Sequence, residues 1–110
     1  MKYNQLGSFE EIVLMAIGVL GEGAYGVSIK EELASRTGRS PSIGALHSAL
    51  SRLEGKGYIQ SHEGGATASR GGRRKRFYLL TTEGEQALMR GHELRSNMLR
   101  DIPGLSLTDQ

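Results

Sequence analysis

The chain contains no cysteine, which excludes a disulfide framework and a thiolate metal site. Its three histidines stand at positions 47, 62 and 92 and form no His-x-x-x-His pair, so no metal site is expected from them. No apolar run approaches the ~18 residues that a membrane span requires. The first residues carry one Lys and then Asn, Gln and Gly before an amphipathic segment, without the basic-then-apolar layout of a secretory signal. A cytoplasmic protein with no membrane partner is therefore expected. Proline is limited to Pro41 and Pro103, each at the boundary of a helical pattern. The run Gly21 to Gly26, GEGAYG, matches G-x-G-x-x-G. It follows a helical pattern rather than a strand, and no second parallel strand accompanies it, so it reads as a helix end and a turn rather than a phosphate loop. No Ser/His/Asp arrangement has supporting context, and the carboxylates lie mostly on outer helix faces. Neither an enzymatic activity nor a cofactor is expected. Acid is also missing from one stretch: between Gly64 and Leu80 there are five bases and no carboxylate, although the net charge is only +2.

What is present is apolar periodicity. At 110 residues the chain suits one domain with an appended element, and it can bury roughly 65% of its unfolded surface without covalent staples. Ser8-Phe9-Glu10-Glu11 fits a capping box, with Ser8 as N-cap and Glu11 three residues on, opening a first helix to about Leu20. Phe9, Ile12, Val13, Ala16, Ile17 and Leu20 form one face. Leu14, Met15 and Gly18 lie outside that face and are apolar too. A helix apolar nearly all round is buried on two sides, so the second side is either part of a dimer interface or a loosely exposed surface. A second helix is expected from about Tyr25 to Thr37, with Val27, Ile29, Leu33 and Ala34 as its apolar set and Gly38 as its stop.

The third helix, Ser42 to Gly57, organises the rest. Leu46, Leu50 and Leu53 recur at helical spacing. The faces between them carry Gly44, Ala45, His47, Ser48, Ser51 and Arg52, a small, polar surface almost free of acid, with Glu54 as its first carboxylate. Such a helix either enters a DNA groove or presents an ordinary solvated face. Tyr58 to His62 and Arg73 to Leu80 read as strands around a glycine-rich basic loop, a hairpin suited to phosphate contacts. Phe77 and Tyr78 either pack within that hairpin or stack on bases of a single strand. A last helix runs from Thr82 to about Arg100. Gly84, Ala87, Gly91, Leu94 and Met98 are spaced as a short coiled-coil seam; the helix either folds back on its own core or dimerises. The order is that of a winged helix-turn-helix, mostly α (α+β), with a two-stranded wing: residues 1–80 as the DNA-binding domain and 81–110 as a C-terminal dimerisation helix and tail. Dimerisation through the first and last helices would place any ligand pocket between subunits, lined by Leu14, Met15, Gly91, Leu94 and Met98.

The segments LGSFEEIVLMAI (6–17), AYGVSIKEEL (24–33), SIGALHSALSRLEGKGYI (42–59) and GGRRKRFYLLTTEGEQAL (71–88) resemble the PadR-like transcriptional regulators, in the compact branch with a single C-terminal helix. The resemblance implies a homodimeric, mostly repressive regulator on a pseudo-palindromic duplex DNA operator, often released by small molecules. By the same resemblance the groove surface maps to Ser42, Gly44, Ala45, His47, Ser48 and Arg52, and the wing contacts map to Arg70, Arg73 and Lys75. Arg52 is the main candidate for a bidentate guanine contact. Tyr25, prominent in the family pattern, either packs at the start of the second helix or reaches a phosphate. This chain departs from the family in having His47 where Tyr is usual and Leu79 where a base is common, and it has no Trp to sandwich a ligand in the last helix. The alternative function is a winged-helix module that binds protein without specific DNA readout.

Overall fold

The computed structural model describes residues 6–64 and 75–106. They form four helices and one two-stranded antiparallel sheet, in the order α1 (Ser8–Leu20), α2 (Gly26–Thr37), α3 (Ile43–Gly55), β1 (Ile59–Glu63), β2 (Arg76–Leu80) and α4 (Thr82–Arg100). This is a winged helix.

Helix α1 is the centre of the core. Val13, Leu14, Ala16 and Ile17 are fully buried, and Phe9, Ile12 and Leu20 pack at the margin. That arc is wider than the ~100° stripe of an ordinary surface helix, because α2, α3, α4 and β2 all pack on α1. Leu14 therefore belongs to the protomer's own core, and the spare apolar side is Met15, Gly18 and Val19. The helix start also differs from expectation. Gly7 rather than Ser8 is the N-cap, and the Glu11 N–H donates to the Gly7 carbonyl at 2.9 Å. The carboxylate that takes the third helical position is Glu10, which accepts from the Gly7 N–H. The helix start moves by one residue, and since Gly7 has no side chain to complete a capping box, only the Glu10 half of it forms; Glu10 is drawn inward by two cations, while Glu11 faces Arg95 of α4.

A 3₁₀ turn, Gly21–Gly23, follows α1. The GEGAYG run then becomes a strand-like segment: the Tyr78 N–H donates to the Ala24 carbonyl at 2.9 Å, and Tyr25 forms a β-bridge with Phe77. The Ser28 hydroxyl latches the turn. It accepts from the Tyr25 N–H at 2.9 Å and donates to the Gly23 carbonyl at 2.6 Å. Helix α2 buries Ile29 and Leu33, but Val27, a member of the expected apolar set, is exposed, because it lies in the first turn, where the chain has just left the sheet side at Tyr25.

Ser42 caps α3, its hydroxyl accepting from the Ala45 N–H at 3.1 Å. Leu46, Ala49, Leu50 and Leu53 are buried as one stripe. The helix gives way at Lys56, and Gly57 turns the chain at φ 82°. Strands β1 and β2 pair from Ile59 opposite Leu80 to Glu63 opposite Arg76, and the Gly64 N–H to Lys75 carbonyl bond at 2.7 Å extends the pairing. The predicted basic loop tip, with Arg70 and Arg73, lies outside the described residues.

Thr81 anchors α4 twice. Its hydroxyl accepts from the Gly84 N–H at 3.0 Å and donates to the Gly57 carbonyl at 2.7 Å. Gly84 and Ala87 are buried against the protomer's own core. From Gly91 onward the helix runs past that core, and Leu94, Met98, Leu99 and Ile102 are exposed. The molecule is accordingly elongated, 58 × 34 × 23 Å. The expected seam is thus divided: its first half, Gly84 and Ala87, folds back on the core, and Leu94 and Met98 of its second half are exposed. Among the described residues no helix is long and apolar enough to cross a membrane.

Candidate nucleic-acid interface

Burying Leu46, Ala49, Leu50 and Leu53 turns the opposite side of α3 outward. Gly44, Ser48, Ser51 and Gly55, spaced by four, three and four residues, form the middle of that face and are all exposed. No atom lies within 4 Å of where a Cβ would stand at Gly44 or Gly55, so the backbone itself is approachable there. His47 and Ile43 flank one side, Ala45 and Arg52 the other, and all are exposed. Ile43, an exposed aliphatic residue in the first turn, escaped the sequence reading because it falls between the leucine stripe and the polar face.

Arg52 is not free-standing. Its Nε donates to Glu10 Oε2 at 2.5 Å, and Lys56 Nζ donates to Glu10 Oε1 at 2.8 Å. The Glu10 side chain is only 9% exposed, against 55% for Arg52 and 23% for Lys56. Burial pushes the Glu10 carboxyl upward, but the hydrogen bonds from Lys56 and Arg52, the charge of Lys56 and the Gly7 N–H outweigh it and hold the group below the usual glutamate range. The carboxylate is therefore ionised, and the triad carries one positive charge in excess on the flank of α3.

At the wing, Lys75 Nζ sits 4.2 Å from the centroid of the Tyr25 ring, a cation–π contact that fixes a base beside the start of α2. Phe77 stands between Tyr25 and His62, at 5.4 Å and 5.9 Å between ring centroids. Tyr78 is buried, and its phenol is pushed up by that burial. Both aromatic residues of β2 therefore pack within the protein, and Tyr25 packs with Phe77. Arg76 donates from Nη1 to Ser61 Oγ at 3.2 Å, and Ser61 donates to Glu54 at 2.8 Å.

Of the residues expected at an intersubunit pocket, Met15, Leu94 and Met98 are exposed. Gly91 is half-buried, beside Arg95 and Glu11. Leu14 has no exposed surface and cannot line such a pocket. A groove of about 540 Å³ lies elsewhere, between the end of α3, the sheet and the start of α4, lined by Glu54, Gln60, Leu79, Thr82 and Glu83 among others. Among the described residues no cluster of His, Asp or Glu could hold a metal ion.

The model of the transcriptional regulator PadR-like family matches residues 14–90. A transcriptional regulator from Clostridium thermocellum is similar in structure, with 27% identity and a TM-score of 0.68 over 83% of this chain and 85% of that one. A PadR family regulator from Eggerthella lenta gives 27% identity and a TM-score of 0.63, covering 82% of this chain and 75% of its own. A PadR-like transcription factor from Bacteroides fragilis shares the fold at 19% identity, with a TM-score of 0.72 over 89% of both chains. No curated protein matches the chain significantly.

Proposed function

The chain belongs to the PadR-like family of transcriptional regulators, and on that premise we propose that it binds duplex DNA sequence-specifically as a homodimer. It inserts α3 in the major groove and sets the wing on the backbone. The observation that carries this reading is the outer face of α3. Its middle is Gly44, Ser48, Ser51 and Gly55, all exposed, so the helix axis can come close to the groove floor. Ala45 and His47 border that face, Ser42 is exposed at the N-cap before it, and Arg52 stands at its edge with a guanidinium suited to guanine O6 and N7. Lys75, held over Tyr25, is placed to meet a phosphate, with Arg70 and Arg73 of the same basic stretch as further phosphate contacts. Phosphate contacts orient the protein, and base contacts specify the site.

The dimer we propose uses the exposed part of α4, Leu94 and Met98 at 55% and 62% exposure, together with Met15 of α1. Two such subunits would read half-sites about one helical turn apart on a pseudo-palindromic operator. The dimer acts by occupying that operator, as a repressor. A small aromatic effector, if it releases the dimer, would enter between Met15, Gly91, Leu94 and Met98 of the two subunits.

Binding of Arg52→Ala and Lys75→Ala variants to matched and single-base-pair-changed duplexes tests the division of labour. Arg52→Ala is expected to lose about 1–3 kcal/mol of preference at one position. Lys75→Ala is expected to weaken all duplexes alike and to flatten the salt dependence by about one phosphate contact. Equal, sequence-independent losses from both variants would refute the assignment.

A further inference from the structure

We propose that Glu10, on α1, is a positioning residue for base recognition: it holds Arg52 in the orientation from which α3 reads the groove. The proposal rests on the reading of Arg52 given above and adds a residue from outside the helix-turn-helix. Two cations meet one carboxylate here. Lys56 is the more enclosed of the two, 23% exposed, and holds the other carboxylate oxygen of Glu10 at 2.8 Å. Arg52 is 55% exposed. Its Nε is engaged by Glu10, which leaves the pair of Nη groups as the edge a base can meet. A guanine is read by such a fork.

Charge alone argues the opposite role. A carboxylate beside DNA-facing cations opposes phosphate binding on every sequence, so its favourable contribution has to be geometric. The anchor is well suited to that. Glu10 lies in the first turn of α1, accepts from the Gly7 N–H and is nearly enclosed. Its neighbour Glu11 is held by Arg95 of α4 at 2.6 Å, so the turn is clamped from two sides. A long side chain that is already held loses less freedom when it binds, and a recognition group is effective when its supporting contacts fix it.

The test uses the full chain as wild type, Glu10→Gln, Arg52→Ala and the double variant. Wild type selects duplexes from a randomised library. Each variant is then measured on the selected duplex and on duplexes changed at single base pairs. Glutamine keeps the size of the side chain and an acceptor for the Gly7 N–H. Glu10→Gln is expected to lose about tenfold in preference at the base pair that Arg52→Ala relaxes, with mismatched duplexes bound as well as before or better. The double variant should match Arg52→Ala. The proposal is overturned if Glu10→Gln keeps that preference, weakens every duplex alike, or adds in full to Arg52→Ala. If Arg52→Ala relaxes no base pair, base reading by Arg52 fails and the role of Glu10 falls with it, a distinct result because it shows in the Arg52 variant alone. Should Glu10→Gln not fold, Glu10→Asp retains the charge but withdraws the carboxylate by one methylene, and the same loss of preference is expected from it.

Discussion

Alanine at position 84 tests how α4 is seated. A Cβ on Gly84 would stand 2.3 Å from the Tyr58 carbonyl oxygen and 2.9 Å from Leu80 Cδ1. The closest comfortable carbon–oxygen approach is ~3.3 Å, so the methyl and the carbonyl must separate by roughly 1 Å. The carbonyl cannot yield cheaply. It accepts from the Thr81 N–H at 3.1 Å, and the Thr81 hydroxyl donates to the adjacent Gly57 carbonyl. Either α4 lifts and weakens these bonds, each worth about 0.5–1.5 kcal/mol, or the site is overpacked at about 1–3 kcal/mol. Against this, replacing a helical glycine by alanine returns about 1 kcal/mol. Gly84→Ala should therefore destabilise the fold by about 1 kcal/mol net, read as a lower urea midpoint by far-UV circular dichroism. Gly44→Ala, where the Cβ meets open space, should stabilise by up to about 1 kcal/mol. A Gly84→Ala variant as stable as wild type, or more so, would show that α4 does not dock on the Tyr58 turn.

Three further outcomes follow from the same geometry. The Glu10 carboxyl has a folded value below its unfolded one, so its contribution to stability is full above the ordinary glutamate value of about 4.3 and is lost as pH falls through the lower folded value. Wild type should lose stability on acidification in that window more steeply than Glu10→Gln, and parallel curves from acid urea titrations would refute the triad's role. Leu94→Lys combined with Met98→Lys should leave the circular dichroism unchanged, since both side chains are exposed. It should also weaken self-association by at least about tenfold, given about 1.5–3 kcal/mol for each large side chain buried; an unchanged mass by sedimentation equilibrium would exclude this face. Although Gly44→Ala should stabilise the fold, its methyl is expected to lower affinity for the selected duplex, because it enters the closest approach of α3 to the groove, and unimpaired binding would remove Gly44 from the interface.

The parts of this fold that were legible are those written in local sequence. The leucine stripe that follows Ser42 announces α3, Thr82 announces the start of α4, and the β-forming residues on either side of the glycine-rich basic loop announce the wing. What was hidden depends on partners far away in the chain. The Ser8/Glu11 pattern satisfies the local rule for a helix start, but Lys56 and Arg52, more than forty residues on, recruit Glu10 instead and shift the cap. Leu14 looked spare because a single helix wheel assumes one packed side, whereas α1 is packed by four elements. Gly84 and Ala87 continue the spacing of Leu94 and Met98, and no periodicity tells which half of a seam folds back on the chain's own core. The groove face was legible by residue type, but not the tether on Arg52, since an arginine's partner is set by tertiary structure.

The most direct test of the account is the salt dependence of binding to a duplex selected from a randomised library, measured against a scrambled duplex of the same composition. The account predicts a preference of at least about 10³-fold for the selected sequence. It also predicts a log–log salt slope of about −0.9 for each phosphate neutralised by the wing and flanking bases. Equal binding to both duplexes, with little response to salt, would contradict it and favour a winged helix that recognises protein instead.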